Sequence, residues 1–232
     1  MSMFTPFAYM AAGGATENPV DDFVFGLDFG AGRGTYSGTG NEFFDVSTYQ
    51  MSGSFVGASD FTYESDRYIA FKDTTNSNLR FGDGVQTNSQ LAYTDAWSFF
   101  VYWEPQEDTN TYIFDKSYDQ LDRNSLVYGY NSEAARPWNG NYRNMTPQTQ
   151  AVGTLGSLAF TKDTGGTNNY KAYIDGTLTT TVSSNFSVSA ESRGVRFNMQ
   201  VPTQWHLYNW YVYDRALTAQ EVSDIHDYVT SY

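Results

Sequence analysis

A strand that gives way to a helix at one identifiable point ends the chain, and no other feature restricts the fold as much. In Trp205-His206-Leu207-Tyr208-Asn209-Trp210-Tyr211-Val212-Tyr213, the residues Tyr208, Trp210 and Val212 fall on one side of a period-2 pattern. That pattern predicts a strand with one buried face. After Asp214-Arg215 the period changes. Thr218 and Glu221 stand three apart, as in a capping box, where the hydroxyl accepts from a first-turn amide and the Glu reaches back to the cap amide. Leu217 before the cap and Val222 after it suit a hydrophobic staple. Val222, Ile225 and Val229 then form a single narrow apolar stripe. A strand enters a core, and a short amphipathic helix closes over something beside it.

Composition fits the same class. The chain has 232 residues, a length that one all-β domain can use undivided. Aromatics make up 18% of it, with 19 Tyr and 17 Phe, enough for a full two-layer core. The net charge of −13 argues against nucleic-acid phosphates and anionic membranes as partners. Without cysteine there are neither disulfides nor thiolate metal sites. No apolar run approaches the roughly 20 residues of a membrane-spanning helix. The first positive charge is Arg33 and Pro6 interrupts the leading apolar part, so a signal peptide is not expected.

Four landmarks carry a family resemblance, in order along residues 23–232. The opening Leu27-Asp28-Phe29-Gly30 leads through Thr35-Tyr36-Ser37-Gly38-Thr39-Gly40 to Phe44-Asp45-Val46-Ser47. Asp95-Ala96-Trp97-Ser98-Phe99-Phe100-Val101-Tyr102-Trp103 reads as the strongest strand. Trp97, Phe99, Val101 and Trp103 share one parity and Phe100 and Tyr102 the other, so both faces are expected to be covered. Tyr173-Ile174-Asp175-Gly176 marks a hairpin with a two-residue turn suited to type I′. Tyr213-Asp214-Arg215-Ala216-Leu217, with the capping box, is the fourth. Together they resemble the laminin-G-like domains of the concanavalin A-like superfamily, in the form found in structural proteins of tailed phages. The resemblance implies an all-β, two-sheet antiparallel jelly-roll sandwich with a short C-terminal α-helix.

Between the landmarks, short strands are expected at Arg67–Phe71, Leu79–Gly82, Tyr112–Lys116, Leu126–Tyr130, Gly156–Thr161 and Gly194–Met199. The pieces 112–116 and 126–130 read as an antiparallel pair, and 131–150 as a long loop. Gly30-x-Gly32-x-Gly34 lacks the following helix that a phosphate cradle needs, so it reads as a turn. Residues 1–22 stand apart as an N-terminal arm, with the jelly roll over 23–232. Phe4, Phe7, Tyr9 and Met10 make its apolar head, which reads either as a frayed tail or as a partner-docking segment.

Catalytic machinery is not expected. A glycoside hydrolase sets two carboxylates about 5 to 9.5 Å apart across the sugar bond. Glu104 and Glu107, the nearest pair, bracket Pro105 in what reads as a turn beyond a strand end. His206 in the closing strand and His226 on the solvated side of the helix read as structural or surface residues. No cofactor is expected. Asp115, Asp119 and Asp122 offer calcium the hard oxygens it prefers, but their spacing matches no EF-hand, and a solvated acidic loop is the default. For carbohydrate, the candidate is Arg136, Trp138, Asn139, Asn141 and Tyr142, with flat aromatic faces beside short polar groups. The same composition suits a protein–protein hot spot or a loop folded into the core.

The expectation for function is a virion structural protein: a capsid decoration or a head or tail fibre-like module, assembled in the host cytoplasm and displayed on the virion surface. Its partners would be other virion proteins or copies of itself, docked through the arm. The alternative is a carbohydrate-binding module that recognises host cell-surface polysaccharide.

Overall fold

The computed structural model of the protein describes residues 18–29, 36, 39–40, 42–48, 52–56, 61–64, 68–71, 78–81, 96–106, 111–115, 125–128, 136–138, 151–164, 169–183, 195–197 and 205–231. These form two antiparallel sheets and one helix, the jelly-roll sandwich that the sequence predicts. The first sheet runs β13 (Thr177–Val182), β12 (Tyr170–Ile174), β11 (Gly156–Lys162), β7 (Trp97–Pro105), β15 (Trp205–Tyr213), β5 (Tyr68–Phe71) and β4 (Phe61–Glu64). β1 (Phe25–Asp28) also pairs with β15. The second sheet runs β10 (Arg136–Trp138), β9 (Ser125–Tyr128), β8 (Thr111–Asp115), β14 (Val195–Phe197), β6 (Asn78–Phe81), β3 (Ser52–Val56) and β2 (Glu42–Phe44).

The central strands β7 and β15 are apolar on both faces because both faces are covered. Trp97, Phe99, Val101 and Trp103 join Phe25, Leu27, Ile69, Leu158, Phe160, Trp210 and Val212 in an inner cluster that includes Phe43 of β2. Phe100 and Tyr102 turn the other way. They lie with Tyr173, Tyr211 and Tyr213 beneath Leu217 and the helix α1 (Ala219–Thr230), and Val20 and Phe23 close the same layer. The face assignment predicted for Tyr208 fails. A bulge between Leu207 and Asn209 shifts the register against β7, so Leu207, not Tyr208, joins Trp210 and Val212 inside. Tyr208 packs against the outer layer.

The helix begins as predicted. Glu221 N donates to Thr218 Oγ1 (3.2 Å) and Thr218 N to Glu221 Oε2 (2.7 Å), the reciprocal pair of a capping box. Leu217 and Val222 lie buried in one cluster, where the staple predicts them. Arg215 fixes the approach: its Nε donates to Asp22 Oδ2 (2.6 Å) and its Nη2 to Glu221 Oε1 (2.8 Å). Twelve residues of helix are marginal alone in water, so α1 depends on burying Val222, Ile225, Tyr228 and Val229. Each such side chain contributes roughly 1.5–3 kcal/mol.

Two buried carboxylates tie the sandwich together. Asp28, 1% exposed, accepts at Oδ1 from Asn209 Nδ2 (2.9 Å) and at Oδ2 from Tyr211 Oη (3.1 Å) and Tyr228 Oη (3.2 Å). One carboxyl group thus holds β1, β15 and α1. Asp45, also buried, accepts from Gly26 N (3.0 Å), Ser47 N (2.6 Å) and Ser47 Oγ (2.7 Å), which clamps the Asp-Val-Ser turn onto β1. Gly26 has no room for a side chain: a Cβ there would stand 2.6 Å from the Phe23 ring.

Three local readings are corrected. Arg136–Trp138 is a strand inside the segment read as loop; its Pro137 is tolerated because β10 is a sheet edge. β7 continues through Pro105, so Glu104 belongs to a strand and faces His206 across the β7–β15 pair. His226 is partly buried, not solvated, because the Asp175–Gly176 turn comes up against the helix. Elsewhere β8 and β9 pair antiparallel, as expected of the pieces read at 112–116 and 126–130, and Asp175 (φ 47) and Gly176 (φ 72) make the predicted primed turn.

Asp28→Ala should lower the unfolding free energy by about 3–5 kcal/mol in urea denaturation, since three buried donors lose their acceptor. Tyr228→Phe, which removes one of them, should cost about 2 kcal/mol. The Arg215 guanidinium, helped by the Thr218 cap, holds the Glu221 carboxyl down at about 2 from its ordinary 4.5. A depressed carboxyl contributes stability that is complete above its unfolded value and is lost as the pH falls through the folded one. Titration of Glu221 by carboxyl NMR should therefore show a midpoint near 2, moving up in Arg215→Ala.

Candidate binding face

The helix covers only part of the outer face. Tyr228 of its last turn reaches Asp28, which pairs with Asn209, and the sheet continues beyond that row. The uncovered area is built from β7, β15, β5 and β4, whose register decides which side chains meet. His206 lies opposite Glu104 on one side and Ala70 on the other, and Ala70 lies opposite Thr62. Tyr68 is the next outward position on β5, and Glu64 lies opposite it. Ala70, the smallest side chain of this group, lies between the His206 and Thr62 positions.

An aromatic group forms at the head of this area. The Tyr68 ring stacks on the His206 imidazole, with centroids 4.3 Å apart and planes 19° off parallel. Tyr208 meets Tyr68 at 5.0 Å and Tyr102 at 5.6 Å, both tilted. It can do so because of the bulge, which sits where β15 exchanges β1 for β5 as its neighbour. Bulges commonly re-aim a side chain in this way. The bulge carbonyl is itself used, accepting from Phe29 N at 2.9 Å.

Polar groups flank the rings. His206 Nδ1 lies 3.0 Å from Glu104 Oε2 and 3.5 Å from Gln106 Nε2. His206 and Glu104 side chains are 23% and 22% exposed, within reach of a ligand yet held in place. Burial, then the Asp175 charge, pushes the Tyr102 hydroxyl up from its ordinary value, so it stays a neutral donor. The face therefore offers ring surfaces, a carboxylate acceptor, an amide and tyrosine hydroxyls. That is a hydrogen-bonding set.

The expected site residues are distributed differently. Arg136 and Trp138 lie in β10, at the edge of the second sheet, while Asn139, Asn141 and Tyr142 fall outside the described residues. Phe4, Phe7, Tyr9 and Met10 also fall outside them, as do Asp119 and Asp122; Asp115 ends β8. Among the described residues no group of three or more His, Cys, Asp or Glu side chains could hold a metal. His226 makes a different contact: its Nδ1 is 2.9 Å from Ser157 Oγ, and Ser157 N donates to Asp175 Oδ1 at 2.9 Å. Ser157 is 1% exposed beneath the helix, so this pair is a latch between hairpin and helix. Sequence reasoning missed the face because Tyr68, Glu104 and His206 come from three distant strands, and the strand parity of Tyr208 was shifted.

No protein-family profile matches the sequence, and no curated protein matches it. Solved structures do. A mutant of Trypanosoma rangeli sialidase with trans-sialidase activity aligns at TM-score 0.64 and 13% identity, over 91% of this chain and 34% of that one. The receptor-binding domain of botulinum neurotoxin C/D mosaic serotype aligns at TM-score 0.66 and 12% identity, over 89% and 51%. A structure of botulinum neurotoxin type C, whose passage into cells depends on two ganglioside molecules, aligns at TM-score 0.65 and 11% identity, over 90% and 51%. The chain thus spans a third to a half of these structures. What it shares with them is the β-sandwich.

Proposed function

We propose that this chain is a non-catalytic carbohydrate-binding jelly roll, displayed on a larger assembly. The observation that carries the reading is the half-open outer face, where Tyr68, Tyr208 and His206 stand beside Glu104 and Gln106. A pyranose presents an apolar C–H face and a rim of hydroxyls. Tyrosine rings suit the first, and fixed carboxylate and amide groups suit the second. Two of the structurally similar proteins, a sialidase and a ganglioside-dependent toxin, act on or interact with sugar-bearing molecules, which supports the reading by analogy of fold alone.

A second reading, a structural role on a virion surface, is compatible with the first. Its support is the phage-like opening and the way the chain is tethered at residues 18–22. Val20 O accepts from Tyr213 Oη at 3.1 Å, and Asp22 is held by Arg215. An arm carrying Phe4, Phe7, Tyr9 and Met10 would so be anchored beside the start of the helix, and would dock onto capsid or fibre subunits while the jelly roll faces outward.

On a glycan array, the full chain should bind, and Tyr68→Ala should weaken that binding at least tenfold while far-UV circular dichroism is unchanged. Absence of binding to every glycan would remove the carbohydrate reading. Deletion of residues 2–16 should abolish incorporation into particles without lowering the thermal midpoint of the domain. Normal incorporation would remove the docking role of the arm.

A further inference from the structure

We infer that the turn 151–155 forms an aliphatic wall to the open face, so that the face selects a pyranose carrying a methyl group, as an N-acetyl or a 6-deoxy substituent; this rests on the carbohydrate reading above. The turn is tied to β7 on either side of Glu104. Gly156, where β11 begins, lies opposite Trp103, and Gly153 N donates to the Pro105 carbonyl at 2.7 Å. The stretch between them therefore runs beside Glu104, on the flank of β7 opposite His206. Neighbouring strands of a sheet stand about 4.8 Å apart, which sets the His206, Glu104 and turn backbones within about 10 Å of one another.

What the turn displays there is apolar. All five residues from Ala151 to Leu155 are exposed, Val152 at 45% and Leu155 at 39%. Two of the four large apolar side chains exposed among the described residues thus belong to one turn. Single exposed aliphatics are ordinary on a protein surface, whereas a pair beside a set of hydrogen-bonding groups offers an apolar contact to whatever those groups hold. The turn is also well defined. Thr154 N donates to Ala151 O at 3.0 Å, and Gly153, with φ 70°, takes the glycine position of a type II turn. A Cβ on Gly153 would meet nothing within 4 Å, so this glycine serves the backbone and not close packing. Glu104 and Gln106 exchange hydrogen bonds with hydroxyls, while Val152 and Leu155 offer a ligand only apolar surface. A bare hydroxyl gains nothing against such a wall and loses water. A methyl substituent on a sugar that rests on the tyrosine rings and bonds to Glu104 is buried there favourably.

The test titrates the full chain by calorimetry with matched pairs: cellotriose against chitotriose for the N-acetyl group, and galactose against 6-deoxygalactose for the deoxy group. The methyl-bearing member of at least one pair should bind about fivefold tighter or more, somewhat below the gain from one methylene in a closed pocket, and the pair that shows it identifies the substituent. Leu155→Ser, a change at an exposed position, should reduce the preference to about twofold or less while the unsubstituted sugar's affinity and the thermal midpoint stay unchanged. Leu155→Ile should retain it. Equal binding within both pairs, or a preference that persists when Val152→Ser and Leu155→Ser are combined, would overturn the inference; with binding lost in Tyr68→Ala, the carbohydrate reading would stand. Binding of no sugar at all, or of a protein ligand only, would overturn that reading and the inference with it.

Discussion

The buried carboxylate of Asp28 is the contact on which the rest of the molecule depends. A polar group this far from water is tolerable only when its hydrogen bonds are satisfied. Here the donors come from Asn209 and Tyr211 on β15 and from Tyr228 on the helix. The carboxyl group is thus accommodated only when β1, β15 and α1 are assembled together. That makes docking of the helix specific as well as favourable, because sliding it by one turn would strand Asp28 short of a donor. Once docked, the helix roofs Phe100, Tyr211 and Tyr213, which allows the two central strands to be aromatic on both faces.

The open face follows from where that roof stops. β15 is longer than any single neighbour on its β1/β5 side, so it pairs with β1 near Tyr213 and with β5 near His206. A strand that changes partners midway needs slack, and the bulge at Tyr208 supplies it. Asn209 is thereby set under the helix, while Tyr208 is turned toward Tyr68 and Tyr102. One extra residue separates a sealed region from an accessible one. The sealed part of the sheet and the open part are adjacent stretches of the same strands.

Much of the architecture was legible because it rests on local chemistry. The capping box at Thr218 and Glu221, the Asp175-Gly176 turn and the two-sided burial of Trp97–Trp103 each follow from residues close in sequence. What was not legible depends on distant pairing. Period-2 counting cannot see a bulge, so Tyr208 was assigned to the wrong face. Pro105 suggests a turn, yet β7 continues through it because Gly153 N donates to the Pro105 carbonyl and Trp205 lies opposite it. Arg136–Trp138 is too short and too poor in alternation to announce a strand. The face itself is assembled by register alone, which places Tyr68, Glu104 and His206 within contact although 138 positions separate the first from the last.

The latch at Ser157 shows why geometry has to be weighed with burial. A serine hydroxyl 2.9 Å from an imidazole, with an aspartate nearby, has the outline of a nucleophile and its base. Yet the aspartate is spent on the Ser157 backbone amide, and Asp175 N donates back to Ser157 O at 3.0 Å, which fixes the turn to β11. Gly176 then approaches the helix so closely that a Cβ would lie 3.2 Å from His226 Cβ and 3.3 Å from Ser223 Cα. Its φ of 72° suits glycine for a second reason. Hairpin and helix are thus fitted to each other around the serine. The latch on one side and Asp28 on the other hold the end of the helix at a fixed height over the sheet, and that position is what defines the edge of the open face.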